Sequence, residues 1–370
     1  MDNKTRVKVA VVIGIVVLAV IFVFMIVFVK ENRPKKNKNI PTVTNGYAET
    51  NKNTVVDDGN KTNNGKENTS LDDVVSIAIK NGSLVKVSSD FSSNEIIKLE
   101  DGYTEFCYGE NKVYTVYNNE DGSCSIFEID LLKDKSTQKS IFTSSDYGKI
   151  KNVKYYAGKL YFVSEQGALV EYSISEEYVQ SLTNDNEVSS FAVDENKDIL
   201  YVSYKPNGEN AGVYILDFTA NTFTQIIQLD DLPGELILSG TSLVIDVKEF
   251  QTLYVYNITN NSVVAVGADN YFKEPENHIA FFDNVLLYTD GEKIDLKDES
   301  GNSYQDNWYN LNDRTIASIS MLDSKTLQIA RFDENGAGAG KVTRSIIIDL
   351  LNGTTTENAD SVYTDVVRIK

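Results

Sequence analysis

One pattern recurs along most of this chain and constrains its fold more than any other feature. "GKLYFVSEQGALVEYSIS" (158–175) is an apolar run, a short polar turn and a second apolar run, which reads as a β-hairpin. The same sequence logic returns as "VVSIAIKNGSLVKVSSD" from Val74, "NKVYTVYNNEDGSCSIFEID" from Asn111 and "KDILYVSYKPNGENAGVYILDF" from Lys197. Three later copies are "TSLVIDVKEFQTLYVYNIT" from Thr241, "NVLLYTDGEKIDLKD" from Asn284 and "KTLQIARFDENGAGAGKVTRSIIIDL" from Lys325. All but the first hairpin follow one more short strand: "TEFCYG", "NVKYYA", "SSFAVD", "ELILSG", "HIAFFD" and "TIASISM". Most are succeeded by another, such as "KSIFT", "YVQSLT", "FTQIIQL" or "SVVAVGA". The unit is four antiparallel strands with leading strands near 103, 151, 189, 235, 278 and 315. A four-stranded unit repeating about every 40 residues predicts an all-β fold, a β-propeller of about seven four-stranded blades.

Two details favour a propeller over a sandwich. In "KLYFV" and "DILYV" successive residues are apolar, so both faces of the sheet ask for cover, as a blade between two neighbours requires. The chain also closes on "SVYTDVVRIK", a strand with no partner after it, while the hairpin at Val74 has none before it. Pairing the two would close the ring and leave few bare edges. Pro206, Pro233 and Pro275 fall in polar connecting segments, compatible with hydrogen-bonded strands elsewhere.

The first 70 residues differ. Val9 to Val29, "VAVVIGIVVLAVIFVFMIVFV", is 21 residues without a polar side chain, enough for a helix of about 30 Å. No small-x-small cleavage site follows, so the expectation is an uncleaved anchor: 1–8 a short tail, 9–29 a transmembrane helix. Residues 30–70, dominated by Asn, Lys, Thr, Gly and Glu, read as a disordered stalk, and 71–370 as the propeller. Three basic residues precede the helix and five follow it, which by the positive-inside count favours a cytoplasmic body. The signal-anchor arrangement and the tendency of long domains to translocate regardless of charge point the other way. The expectation adopted is a single-pass cell-membrane protein with its C-terminal domain extracellular.

Charge narrows the partners. Residues 1–38 hold eight basic and two acidic side chains, a balance of +6, so the total of −19 leaves −25 on residues 39–370. Such a body repels nucleic acid; cations, basic partners and neutral glycans stay open. Two cysteines make neither a disulfide scaffold nor a four-cysteine zinc site. Cys107 and Cys124 fall on the first and third strands of one unit. Strands two apart lie about 9–10 Å from each other, so free, buried thiols are expected.

Units such as "GKLYFVSEQGALVEYSISEEYVQSLT" resemble the divergent propeller repeats of membrane-anchored bacterial surface proteins in the DUF5050 and YWTD-like (low-density-lipoprotein-receptor type) superfamily. The resemblance covers residues 71–370 and is one of pattern. It implies a propeller displayed outside the cell that serves binding, and it carries no catalytic residue across. Trp-Asp repeat ends, the sialidase box and the kelch glycine pair are missing from the sequence.

The chemistry-bearing residues support no assigned site. His278, in "EPENHIAFFD", is the only histidine, so Ser-His-Asp and multi-histidine metal chemistry have little to work with; at the start of a strand it reads as structural. The acidic pairs Asp230–Asp231, Glu176–Glu177 and Asp298–Glu299 read as solvated loop charge. "DENKD" (Asp194–Asp198) has alternating oxygens but Ile199 at its sixth position, and reads as a turn rather than a calcium loop. "ENGAGAG" (Glu334–Gly340) lies between strands and opens no helix, against phosphate cradling. Trp308, Tyr304 and Tyr309 in "NSYQDNWYN" form the most aromatic loop-like segment, packing between blades or lying at the propeller mouth. The reading is therefore a surface binding module for a protein or glycan, with no catalytic residue, binding residue, metal or cofactor assigned. The alternatives are a carboxylate-based extracellular hydrolase or lyase using the propeller mouth, and a ligand sensor acting with a membrane partner.

Overall fold

The computed structural model describes residues 71–369 except 134–136, 219, 248–251, 268–277, 283–284, 290–292, 299–302, 311–315, 333–341, 350–353 and 359–361; side chains of 247, 252, 266–318, 331–344, 357 and 358 also lie outside that description. The chain divides into two units, Met1–Val55 and Val56–Lys370. The expected helix at 9–29 and stalk at 30–70 lie outside the described residues. Among the described residues no helix is long and apolar enough to cross a membrane.

The described residues of the second unit are all β. In chain order its strands are β1 (Val74–Lys80), β2 (Ser83–Ser88), β3 (Ser93–Lys98), β4 (Tyr103–Gly109), β5 (Lys112–Asn118), β6 (Cys124–Asp130) and β7 (Lys139–Ser144). They continue as β8 (Lys151–Tyr156), β9 (Lys159–Val163), β10 (Leu169–Ser173), β11 (Tyr178–Ser181), β12 (Val188–Asp194), β13 (Ile199–Tyr204), β14 (Gly212–Asp217) and β15 (Thr222–Gln228). Next come β16 (Leu236–Ser239), β17 (Ser242–Val247), β18 (Thr252–Asn257), β19 (Ser262–Gly267), β20 (His278–Phe282), β21 (Val285–Thr289), β22 (Lys293–Asp298) and β23 (Ser303–Asn310). The last are β24 (Ile316–Met321), β25 (Thr326–Phe332), β26 (Val342–Asp349), β27 (Thr355–Asn358) and β28 (Thr364–Arg368).

These strands make a β-propeller of four-stranded antiparallel blades. Six blades are built of consecutive strands, beginning with β4, β8, β12, β16, β20 and β24, and one composite blade has the order β28-β1-β2-β3. The leading strands touch in turn, β4 to β8, β12, β16, β20, β24, then β28 and back to β4, so the ring is closed. The C-terminal strand completes the first blade through Ser76↔Arg368, Ile77↔Val367 and Ile79↔Thr364. The two ends of the propeller thereby cover each other's edges, which would otherwise present unpaired backbone groups.

Strand β9 shows why the apolar runs are continuous. Leu160 and Phe162 pack with Cys107, Tyr114, Val116, Cys124, Ile126 and Phe142 of the preceding blade. Their neighbours Tyr161 and Val163 face the other way, onto Val188, Phe191, Leu200 and Val202 of the following one. Side chains alternate across a strand, so a sheet sandwiched on both faces needs apolar residues at every position. The closing seams repeat this, with Ile77 and Leu84 against Phe106, Val113 and Ile129, and Ala78, Val85 and Val87 against Leu322, Ile347 and Tyr363.

Turn chemistry sets the register. Asn81 and Gly82, both in the left-handed region (φ 52° and 76°), make the two-residue link across which Lys80 pairs with Ser83. "SEQG" is a tight turn in which Gly167 N–H donates to Ser164 O (2.9 Å). Gly109 at the end of β4 permits a close approach, since a Cβ there would lie 1.9 Å from Cδ1 of Tyr155 in the next blade. The Tyr155 ring in turn stacks on Tyr114, 5.3 Å between centroids.

One sequence expectation is corrected. "NSYQDNWYN" is not loop-like: Ser303–Asn310 is strand β23, the outermost of its sheet, with two register breaks against β22. Its Asn, Asp and Gln residues resemble a loop in composition, but the aromatic residues carry strand propensity and an outer strand tolerates polar positions.

Candidate functional site

The inner strands hold most of the polar chemistry that the fold organises. Five of them break register with their partner: β4 between Tyr103 and Glu105, β8 between Lys151 and Lys154, and β12 between Val188 and Ser190. β24 does so between Ile316 and Ser318, and β28 opposite Ile77 and Ile79. Such bulges leave a residue out of the ladder and re-aim its side chain. The residues placed there include Thr104, Asn152, Ser189 and Asp365. Asn152 (φ 57°) and Asp365 (φ 48°) sit in the left-handed region, which short polar side chains tolerate.

Most of these polar groups stitch one blade to the next. Asn118, at the end of β5, donates from Nδ2 to Ile150 O (2.9 Å) and accepts from Ile150 N–H (2.9 Å), while Nδ2 also reaches Thr104 Oγ1 (3.2 Å). Glu105 Oε2 accepts Val153 N–H at 3.2 Å. Asn152 Nδ2 donates to Phe191 O at 3.1 Å. The Ser189 and Ser203 hydroxyls lie 2.6 Å apart, both within reach of Pro233 O, so one donates to that carbonyl and the other to its partner hydroxyl, and Ser190 Oγ accepts Leu236 N–H at 3.0 Å. Gln328 clamps the backbone of Tyr363, donating to its O (2.6 Å) and accepting its N–H (3.0 Å).

Asp365 is the exception. It occupies the bulge of β28 with an exposed side chain and no hydrogen-bond partner among the described residues, and the protein around it pushes its carboxyl above the usual range. Burial likewise raises Glu105, with Asp365 adding to the rise, against the lowering effects of the Val153 and Asn152 N–H groups and of Lys154. Tyr103 is pushed far up by burial and then by Asp365 and Glu105, and its buried hydroxyl has no partner. A carboxyl raised by burial, as Glu105 is, holds a proton that a solvated carboxylate would release. The segments "YTE" (103–105) and "YTD" (363–365) are alike, a sequence signal for this pair that strand periodicity alone does not single out.

The residues weighed from the sequence are scattered. His278 begins β20, as its place in the sequence predicts. In "DENKD" Asp194 is buried and Oδ1 accepts Asn196 N–H (3.2 Å), closing a turn, while Asp198 accepts the hydroxyl of Tyr156. Glu176 and Glu177 sit exposed in the β10–β11 turn; Asp230, exposed, and Asp231, half-buried, lie in the β15–β16 link, and Asp298 ends β22; Glu299 and Glu334–Gly340 lie outside the described residues. Cys107 and Cys124 are free and buried, and burial pushes the Cys107 thiol up to about 12.

No family model matches the chain, and no curated protein sequence matches it. Solved structures do. The chain is similar to the computationally designed Ika8 protein, with a TM-score of 0.52 at 12% identity over 78% of this chain and 87% of that one. An oligogalacturonate lyase in complex with manganese (TM-score 0.48, 15% identity, 61% and 73% covered) and TolB from Acinetobacter baumannii (0.43, 11%, 62% and 62%) lie further away. At such identities the likeness concerns the fold alone.

Proposed function

We propose that this chain is a membrane-anchored surface propeller of the divergent bacterial DUF5050 and YWTD-like kind, which binds a protein or glycan outside the cell and is non-catalytic. The reading takes 1–8 as a short cytoplasmic tail, 9–29 as the spanning helix, 30–70 as a stalk and 71–370 as the binding domain. The observation that carries it is the closed, cross-stitched ring. Inner-strand polar groups such as Asn118, Asn152 and Ser189 are engaged in joining blades, which leaves loops to present the recognition surface. Exposed carboxylates at Glu120, Asp121, Asp185, Glu209 and Asp230 on those loops suit a partner with basic groups.

Protease shaving of intact cells tests display. Loss of the body with survival of the anchor fragment is expected, and a body untouched until lysis would refute the extracellular reading. Pull-down with the detergent-solubilised full chain then tests binding, and salt-sensitive capture of a basic protein or of a glycan is the expected result.

A further inference from the structure

Each blade ends in an outer strand with no further strand beside it among the described residues, and such an edge accepts an added strand unless something blunts it. Six of the seven outer strands are blunted. β3, β7, β15 and β23 break register against their inner neighbours, and β11 and β27 are only four residues long. β3 and β7 also carry charge, at Glu95, Lys98 and Lys139. β19 has none of these guards: Ser262–Gly267 pairs with β18 in unbroken register, from Asn257↔Ser262 to Thr252↔Gly267. Val263 (42% exposed) and Ala265 on that strand stand in solvent.

We propose that the β19 edge pairs antiparallel with the β19 edge of a second copy of this chain, joining two propellers side by side.

Charge selects the second copy as the occupant. Residues 39–370 carry −25, so two such bodies repel each other over most approaches. Phe250 to Ala268 contains no charged side chain, and no longer uncharged run occurs between 71 and 370. Pairing edge to edge there brings together the least repelling parts of both molecules. A basic partner, by contrast, gains nothing from an edge without carboxylates. The edge is also preordered. Asn257 Oδ1 accepts the N–H groups of Thr259 (3.0 Å) and Asn260 (3.1 Å), and Asn260 Oδ1 accepts that of Ser262 (2.9 Å). The Tyr256 hydroxyl donates to Asn261 Oδ1 at 2.7 Å. A hairpin held in this way loses little conformational freedom when a strand is added to it.

A two-fold axis normal to the sheet sets one residue opposite its own copy. The two registers of greatest overlap centre on Val264 or on Ala265, and neither opposes like charges. A six-residue edge is small beside a standard interface of about 1,200–2,000 Å². The dimer therefore forms at high local concentration, which confinement by the proposed anchor supplies. It uses none of the loops assigned above to recognition.

The test uses the full-length chain in detergent micelles at rising concentration, with sedimentation reporting mass and the thermal midpoint reporting folding. Val264→Cys and Ala265→Cys are oxidised mildly, with Thr224→Cys on exposed β15 as the control. Opposed residues of antiparallel strands lie about 4.5–5.5 Å apart at Cα, within disulfide range. One of the two β19 variants should therefore give a disulfide-linked dimer, and the control should not. The native Cys107 and Cys124 are buried and common to all three. Lysine supplies the guard that β19 lacks, so Val263→Lys and Ala265→Lys should weaken association by about tenfold or more with the fold retained. Thr224→Lys should leave association at the wild-type level. Chains that stay monomeric at every concentration would overturn the proposal, as would bridging at 264 and 265 no stronger than at 224. Association unchanged in both lysine variants would also overturn it, by assigning the contact to the apolar segment 9–29. If a lysine variant fails to fold, the cysteine variants carry the test.

Discussion

Replacing Asn118 with alanine probes how the blades are joined. The carboxamide makes two 2.9 Å bonds to one backbone residue, Ile150, which lies just before β8 and is 1% exposed. Each bond contributes about 1 kcal/mol net, and a buried N–H or C=O left without a partner costs about 1–3 kcal/mol. Some of that cost is recovered if water enters where Asn118 was half-buried, so the expected loss is about 2–4 kcal/mol. Against a typical total of about 5–15 kcal/mol this is large. Urea unfolding of the full-length protein, read by tyrosine circular dichroism, should show a lower midpoint with an unchanged slope. Asn118→Asp is the informative companion. It keeps an acceptor for Ile150 N–H but sets a carboxylate against Ile150 O, so it should be no better than alanine. A loss below about 0.5 kcal/mol for both would refute the reasoning and leave apolar packing alone holding this seam.

Two further predictions concern packing and charge. Gly109→Ala should cost about 1–3 kcal/mol, because its Cβ must displace the Tyr155 ring, and adding Tyr155→Ala should show a coupling that plain additivity does not give in denaturation cycles. Glu171 behaves oppositely to Glu105: burial would raise it, but Lys159 (2.8 Å), Tyr161 (2.9 Å) and Gln180 (3.0 Å) outweigh burial and hold it below its ordinary value. Its contribution is present above the ordinary glutamate range and lost as pH falls through its lowered folded value, so Glu171→Gln should remove part of the acid-side drop in thermal midpoint.

Much of this architecture was legible in the sequence because middle strands of the described blades, such as β5, β9, β10 and β13, are buried on both faces. Expected leading strands near 189, 235 and 315 stand at Val188, Leu236 and Ile316, and "SVYTDVVRIK" supplies the strand that closes the ring. Outer strands were harder to see. Ser93–Lys98, Ser303–Asn310 and Thr355–Asn358 have one neighbour strand each and many polar residues, so their composition does not separate them from loops. The axial chemistry was illegible for a different reason. Glu105, Asn118, Asn152 and Asp365 gain their roles from bulges and from the approach of the next blade, neither of which strand periodicity encodes.

The central claim is that the C-terminal strand completes the first blade, and a cross-link tests it most directly. Ser76 and Arg368 are register partners, and directly opposed residues of antiparallel strands lie about 4.5–5.5 Å apart at Cα, within disulfide range. In the double variant Ser76→Cys, Arg368→Cys, mild oxidation should give an intramolecular bridge joining the peptides around 76 and 368. Persistent free thiols there, or bridges only between chains, would contradict the closed ring.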